Sequence, residues 1–171
     1  MTNIPAEMQA VICYGPGDYR FETRPVPSPA SGEVLVRVVA TGICAGDVKC
    51  FGGAPMFWGD ENRPAYCETD VVPGHEFVGQ VVDEKYQLKI GDHVVSEQIV
   101  PCGECRFCRS GHYWMCQPHD IYGFHRATQG AWAEYMLYPA KAINYRLPET
   151  LDPLHGVFVE PLACSIHAVN R

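Results

Sequence analysis

Four cysteines in one short stretch constrain this chain more than any other feature of its sequence. Intervals of three, three and eight residues separate Cys102, Cys105, Cys108 and Cys116. Glycines between them allow the backbone to turn back, so that four thiolates can converge on one tetrahedral Zn²⁺. Because sulfur would fill every position on such an ion, the site is predicted to stabilise structure rather than to catalyse.

Disulfide bonds are the alternative interpretation of the same cysteines. Adjacent Cys-X-X-Cys units are difficult to bridge without strain. The N-terminal segment 1–7 has neither the basic start nor the apolar core of a secretory signal, which favours a cytoplasmic location. Nine cysteines in a reducing compartment would remain available as thiol ligands, so the sequence favours a metal site.

Composition excludes several classes of partner. A chain of 171 residues that is 47% hydrophobic can bury the core of one domain. The net charge of −7 and the absence of a Lys/Arg run oppose nucleic acid as a partner. No stretch approaches the roughly 20 apolar residues that span a bilayer, so no membrane partner is expected.

The hydrophobic pattern predicts a chain of mainly short strands with a helix near its end. Alternation of apolar and polar residues, between Gly and Pro turns, predicts strands at 8–14, 19–23, 33–40, 76–82, 92–96, 133–138 and 142–146. Such spacing suits a small β-barrel. From Asp152 onward the period lengthens to that of a helix, and Pro161 is expected to interrupt it.

The segment 52–64 is predicted to be a loop with an unusual content of large apolar side chains. Met56, Phe57 and Trp58 follow one another within it. They form either the wall of a hydrophobic cleft or the packing beneath the loop. The sequence does not choose between these two interpretations.

A second cluster of potential ligands has a mixed composition. Cys44 ends one predicted strand and His75 begins another, next to Glu76, so these side chains can meet at a cleft. A set of sulfur, nitrogen and oxygen ligands that does not close the metal leaves room for water or substrate. Glu160 and Cys164 stand four apart on one helix face, and either could complete the set. Taken singly, a buried Cys or His is more often a core residue.

Six motifs occur in the order seen in the zinc-dependent medium-chain alcohol and polyol dehydrogenases. They are GICAGDV at 42–48, PGHEFVG at 73–79, GDHV at 91–94, the four-cysteine stretch, GAWAEY at 130–135 and EPLAC at 160–164. Over essentially its whole length, residues 1–171, the chain resembles the N-terminal catalytic domain of that family. The resemblance implies a mainly β, GroES-like barrel with a few short helices and a zinc lobe at about 97–120. The family's nucleotide-binding domain would follow residue 171, so the chain is expected to be a fragment that does not turn over alone.

The resemblance also implies roles for individual residues. Cys44 and His75 are similar to ligands of the catalytic zinc. Glu76 and Glu160 are similar to carboxylates that bind this zinc directly or through water. Asp47 is similar to a residue that steadies the surroundings of the zinc. The structural zinc would be held by Cys102, Cys105, Cys108 and Cys116. The Glu-Pro-Leu motif is similar to sorbitol and threonine dehydrogenases, whereas Cys164 is similar to the simple-alcohol branch. We favour Glu160 as the completing ligand.

By the same resemblance, the complete enzyme oxidises a primary or secondary alcohol, with a polyol or sugar alcohol favoured. It would use two zinc ions per chain, transfer a hydride to NAD or NADP, and form a homo-oligomer. Gly46 and Lys49 depart from the Ser or Thr and the His that many relatives carry there. We therefore expect a proton relay assisted by a carboxylate such as Glu76.

Two other classes are weighed against the dehydrogenase. A zinc-stabilised binding module without catalysis would hold one zinc ion rather than two. A co-chaperonin would share the barrel fold but has no use for this zinc chemistry. Both are less favoured than the enzyme.

Overall fold

The computed structural model describes residues 4–83 and 88–170, and it is mostly β with a few short helices. The strands are β1 Glu7–Gly15, β2 Asp18–Pro25, β3 Val34–Thr41, β4 Phe77–Asp83, β5 His93–Ser96, β6 Ile99–Val100, β7 Asp120–Ile121, β8 Tyr135–Tyr138 and β9 Asn144–Arg146. The α-helices are α1 Ala45–Phe51, α2 Pro55–Trp58, α3 Arg106–Arg109 and α4 Val159–Val169, and 3₁₀ turns cover Tyr113–Met115 and Pro153–Phe158. The mainly β fold expected from the sequence is confirmed.

The principal sheet has five antiparallel strands in the order β8-β3-β4-β5-β9. Its buried face and the adjoining loops form the largest core cluster: Val34, Val36, Phe77, Val81, Val94, Val100, Tyr122, Ala131, Met136 and Tyr138. The hairpin of β1 and β2 joins this body through bridges from Ala10 to Ala133 and from Cys13 to Val71. Burial of the apolar side chains on one face of the principal sheet therefore drives the assembly.

All seven predicted strands are present, with ends that differ by at most two residues. The two-residue strands β6 and β7 and the helices α1, α2 and α3 were not predicted. These helices have only four to seven residues, too few to show a helical period. None of the helices within 4–83 and 88–170 is long and apolar enough to cross a lipid bilayer.

The expectation that Pro161 interrupts the C-terminal helix is wrong. Helix α4 begins at Val159, so Pro161 lies in its first turn, where backbone N–H groups have no acceptor within the helix. The helix runs unbroken to Val169. Its predicted apolar face is largely exposed, with Leu162 57% and Val169 85% accessible.

Close packing around Trp132 fixes the two loops that meet at the end of β3 and the start of β4. The Trp132 indole Nε1 donates to the carbonyl of Gly42 at 3.1 Å, and the N–H of Gly42 donates to the carbonyl of Glu76 at 2.7 Å. Gly74 has φ +97°, and a Cβ added there would overlap the Trp132 ring. These contacts place residues 74–76 beside the start of α1.

Substituting Gly74 by alanine is expected to destabilise the protein by about 3 kcal/mol, since overpacking adds to a positive φ. Gly17→Ala is the matched control, because Gly17 also has a positive φ, +70°, but a Cβ there meets nothing within 4 Å. Its expected loss is about 1 kcal/mol. Urea denaturation measures both, and equal losses would show that the Trp132 contact is not what requires glycine.

Candidate functional site

The four cysteines predicted to bind structural metal come together in one cluster. Their sulfur atoms all lie within 4.8 Å of one another, and each cysteine is a free thiol. The short helix α3 begins here, with Cys105 as its N-cap and its sulfur accepting the N–H of Cys108 at 3.5 Å. Cys116 is buried and its sulfur accepts the N–H of Cys102 at 3.2 Å.

Backbone donors favour the thiolate form of Cys102 and Cys105, whereas burial raises the pKa of Cys108. The N–H groups of Cys108 and Gln117 lower the pKa of Cys105 to about 6. The N–H groups of Glu104 and Cys105 lower the pKa of Cys102. Thiolate is the form that binds metal, and four convergent sulfurs fit one tetrahedral zinc with no position left for substrate. The predicted structural zinc site is supported by this geometry.

The second predicted cluster also assembles. One ligand atom from each of Cys44, His75 and Glu76 lies within 4.8 Å of the others. Cys44 is the N-cap of α1, and its sulfur accepts the N–H of Gly46 at 3.4 Å. His75 and Glu76 directly precede β4. The three side chains therefore converge between the start of α1 and the start of β4.

Asp47 is connected to two of these three residues. Its Oδ2 accepts the N–H of Cys44 at 2.8 Å, and its Oδ1 lies 3.4 Å from Nδ1 of His75. Asp47 and His75 are buried, at 2% and 5% exposure. Burial lowers the pKa of His75, but the carboxylates around it, Asp47 first and then Glu160 and Glu76, outweigh this effect and leave the pKa above its ordinary value. The predicted position of Asp47 beside the cluster is therefore observed.

The donor set fits a catalytic rather than a structural zinc. Nδ1 of His75 is buried, and its neighbour Oδ1 of Asp47 lies 3.4 Å away, too far for a well-formed hydrogen bond. Such an orphaned nitrogen is expected where an imidazole is oriented for a metal and its carboxylate partner tightens on binding. A thiol, an imidazole and a carboxylate form a mixed set that does not close the ion.

Glycine at position 42 is needed for the carboxylate of this set. A Cβ at Gly42 would overlap Oε2 of Glu76. Glu76 therefore reaches the cluster only because the residue after β3 has no side chain.

Glu160 and Cys164 lie beside this group but are not members of the compact cluster. The Cys164 thiol donates to Oε1 of Glu160 at 3.0 Å. Burial raises the pKa of Glu160, and burial together with Glu160 raises the pKa of Cys164 to about 12. Cys164 thus serves as a donor to Glu160, and the ligation of metal by either residue stays a prediction.

Two aromatic rings flank the cluster, and the sequence indicated only one of them. Phe57 and Phe124 stack with ring centres 5.2 Å apart, and Phe124 lies 5.5 Å from the His75 ring. Phe57 is buried, so it packs beneath its loop, whereas Met56 is exposed. A Cβ at Gly46 would lie 3.8 Å from the Phe57 ring and 3.7 Å from the Cys44 sulfur, so this ring also adjoins the site.

Comparison with known proteins agrees with this geometry. Residues 30–149 match the family model of the alcohol dehydrogenase GroES-like domain. The chain is 56% identical to an erythritol/L-threitol dehydrogenase of Mycolicibacterium smegmatis, over 98% of this chain and 48% of that protein. It is 34% identical to a sorbitol dehydrogenase of Bombyx mori, over 96% of this chain and 46% of that protein.

A solved structure gives the same result in three dimensions. A candidate zinc-binding dehydrogenase from Sinorhizobium meliloti, bound to NADP, superposes with a TM-score of 0.84 at 33% identity, over 97% of this chain and 46% of that one. The chain spans about half the length of the curated relatives it matches. By its motifs, its fold and these matches, the chain belongs to the zinc-type medium-chain alcohol and polyol dehydrogenase family, of which it forms the GroES-like domain.

Proposed function

We propose that this chain is the catalytic domain of a dehydrogenase that oxidises one carbinol group of a short polyol. The reaction removes a hydride from carbon to NAD⁺ or NADP⁺ and releases one proton, leaving a carbonyl group. The cluster of Cys44, His75 and Glu76 carries this proposal, because its ligand atoms converge within 4.8 Å and its imidazole is buried beside the Asp47 carboxylate. The relative named for erythritol and L-threitol supports a four-carbon polyol as substrate.

Each residue near the cluster has a proposed part. Cys44, His75 and Glu76 hold the catalytic zinc, and Glu160 rather than Cys164 joins them, directly or through water. When bound, zinc supplies Lewis-acid polarisation, which lowers the pKa of a substrate hydroxyl. Asp47 acts as a positioning residue, because one carboxylate fixes both the backbone of Cys44 and the ring of His75.

A carboxylate is proposed to take up the substrate proton, since Gly46 offers no hydroxyl for a relay. Burial raises the pKa of Glu160, so this side chain accepts a proton closer to neutral pH than an ordinary glutamate does. Glu76 is the second candidate, because it lies in the cluster itself. Water would connect either carboxylate to bulk solvent.

The organisation of the whole protein is part of the proposal. Residues 1–171 form one catalytic domain, with the lobe at about 97–120 stabilised by a second zinc. The site for NAD or NADP lies in a nucleotide-binding domain outside the chain, as the length of the relatives supports. The complete protein is a homo-oligomer in the cytoplasm, where free thiols are maintained.

The experiment measures metal and turnover on the complete protein. Elemental analysis should give two zinc ions per chain, one for each cluster. Initial rates with erythritol, threitol, xylitol and sorbitol, each with NAD⁺ and NADP⁺, should show oxidation with a preference for the four-carbon substrates. One zinc per chain and no oxidation of any alcohol would instead support the non-catalytic binding module.

A further inference from the structure

A cavity of about 400 Å³ lies between helix α4, the segment that joins β5 to β6, and the four-cysteine lobe. It is lined by Glu97, Gln98, Tyr113, Trp114, Tyr145 and Glu160, among others. Glu160 lines this cavity, and its charge acts on Cys44 and His75 of the Cys44/His75/Glu76 cluster. The cavity therefore opens beside the place where a substrate hydroxyl would be activated.

Gln98 is a polar side chain of the cavity wall that is linked to Glu160 through Cys164. Its Nε2 donates to the sulfur of Cys164 at 3.4 Å, and the Cys164 thiol donates to Oε1 of Glu160 at 3.0 Å. A thiol sulfur is a weak acceptor. An incoming hydroxyl that accepts from Nε2 and donates to Oε1 of Gln98 would replace a weak bond with two ordinary ones.

Glu97 also lines the cavity, and two tyrosines hold its carboxylate in place. Its Oε1 accepts the hydroxyl of Tyr113 at 2.9 Å and that of Tyr145 at 3.2 Å. Two donors on one oxygen fix the carboxylate, because movement would break both bonds. A carboxylate has about four acceptor sites, so this group can still accept bonds from a substrate.

The polar side chains of Gln98 and Glu97 favour binding of a polyol over binding of an apolar alcohol. Each hydroxyl of a polyol offers one donor and two acceptors, which an amide and a carboxylate can match. An apolar chain in the same place would remove water from Gln98 and Glu97 without replacing their hydrogen bonds, and unpaired buried polar groups discriminate strongly against such ligands. The exposed edge of Trp114 adds an aromatic surface for C–H groups of the substrate.

From these contacts we propose that Gln98 and Glu97 determine the specificity of the enzyme by binding the polyol hydroxyls that are not oxidised. Gln98 binds the hydroxyl next to the reacting carbon, and Glu97 binds the one beyond it. This inference rests on the proposed function and assigns its substrate-recognition residues. An acyclic polyol of about four carbons carries enough hydroxyls to engage Gln98 and Glu97 while another is oxidised.

The test compares erythritol with 2-butanol, an apolar secondary alcohol of the same carbon number, on the complete zinc-loaded protein. Gln98→Leu keeps the approximate size of the side chain and removes its hydrogen bonds. We expect kcat/KM for erythritol to fall about 10- to 100-fold, the equivalent of one or two lost hydrogen bonds, while that for 2-butanol stays within about 3-fold or rises. Gln9→Leu is the matched control, because Gln9 is an exposed glutamine on β1, and this substitution should leave kcat/KM for both substrates unchanged.

A second measurement keeps the inference testable if Gln98→Leu does not fold. With the unaltered protein, KM should decrease stepwise from 2-butanol to 2,3-butanediol to erythritol as hydroxyls are added. The inference would be overturned if Gln98→Leu lowered kcat/KM equally for erythritol and 2-butanol, or lowered it for neither. It would also be overturned if KM were the same for all three alcohols. If the unaltered protein oxidises none of these alcohols, the proposed function itself fails, which is a distinct result.

Discussion

Replacing His75 by alanine is expected to lower kcat/KM of the complete enzyme for a polyol by about 1,000-fold or more. Metal activation contributes several kcal/mol to the transition state, and each 1.36 kcal/mol is a factor of ten in rate. His75 supplies the imidazole of the Cys44/His75/Glu76 cluster, so its loss should also reduce zinc from two ions to one per chain. Initial-rate kinetics and elemental analysis on the same preparation provide both readouts.

The chain contains a matched control for this substitution. His125 also pairs with a carboxylate, its Nδ1 lying 2.9 Å from Asp120, and its Nε2 lies 2.8 Å from the carbonyl of Tyr66. It is not in the compact ligand group. His125→Ala should therefore weaken stability through lost hydrogen bonds but retain both zinc ions. Full activity in His75→Ala, or equal zinc loss in both variants, would contradict the assignment of the metal centre.

Asp47→Asn should lower the activity of the complete enzyme, but by less than His75→Ala does. The amide keeps the size of the side chain, but it weakens the contacts with the Cys44 N–H and with Nδ1 of His75. Partners of metal ligands typically contribute about 10- to 100-fold in metal affinity or activity. The expected order of activity is thus unaltered protein, then Asp47→Asn, then His75→Ala.

The two metal sites differ in how far the sequence alone could predict them. The four cysteines lie within one short stretch, so their spacing implies a common ion without knowledge of the fold. Cys44 and His75 are far apart in the chain, so the sequence pattern indicated only that they can meet at a cleft, and the resemblance to a family assigned them to one metal. The structure brings them together through the bond from the Gly42 N–H to the Glu76 carbonyl.

The residues that line the cavity were beyond sequence reasoning for a physical reason. Glu97, Tyr113 and Tyr145 come from three different segments, and their shared hydrogen bonds exist only once those segments have folded together. Phe124 carried no signal for the same reason, since it meets His75 and Phe57 through tertiary packing. Periodicity indicates the local secondary structure and burial of a residue, and it contains no information about tertiary contacts between distant segments.

The errors in the helical regions have equally specific causes. A proline was assumed to break a helix, but its effect depends on whether it lies in the first turn, as Pro161 does. Helix α1 was missed because its start depends on the reciprocal capping bonds of Cys44 and Asp47 rather than on an apolar stripe. The same two residues belong to the metal cluster and its support, so the local structure and the site arise from one set of contacts.

Cys105→Ser is expected to remove the other zinc ion and to unfold the lobe around it. Structural zinc contributes about 10–16 kcal/mol in small zinc-binding peptides, which is comparable with the whole stability of a typical domain. Cys105 is also the N-cap of α3, so the helix loses its start together with the metal. Zinc content should fall to one ion per chain, and the melting temperature should drop by at least about 10 °C, as a loss of several kcal/mol implies.

Cys164→Ser is the matched control for Cys105→Ser. It shows whether the losses of zinc and melting temperature come from the four-thiol cluster or from any cysteine-to-serine substitution. Cys164 is exposed and lies outside the four-thiol cluster, so its substitution should leave the zinc of the lobe and the melting temperature in place. Because Tyr113 and Trp114 of the lobe line the cavity beside Glu160, unfolding of the lobe in Cys105→Ser should also raise KM for a polyol. A Cys105→Ser protein that keeps two zinc ions and an unchanged melting temperature would show that the four thiols do not hold a structural metal, and the cavity would then need another source of rigidity.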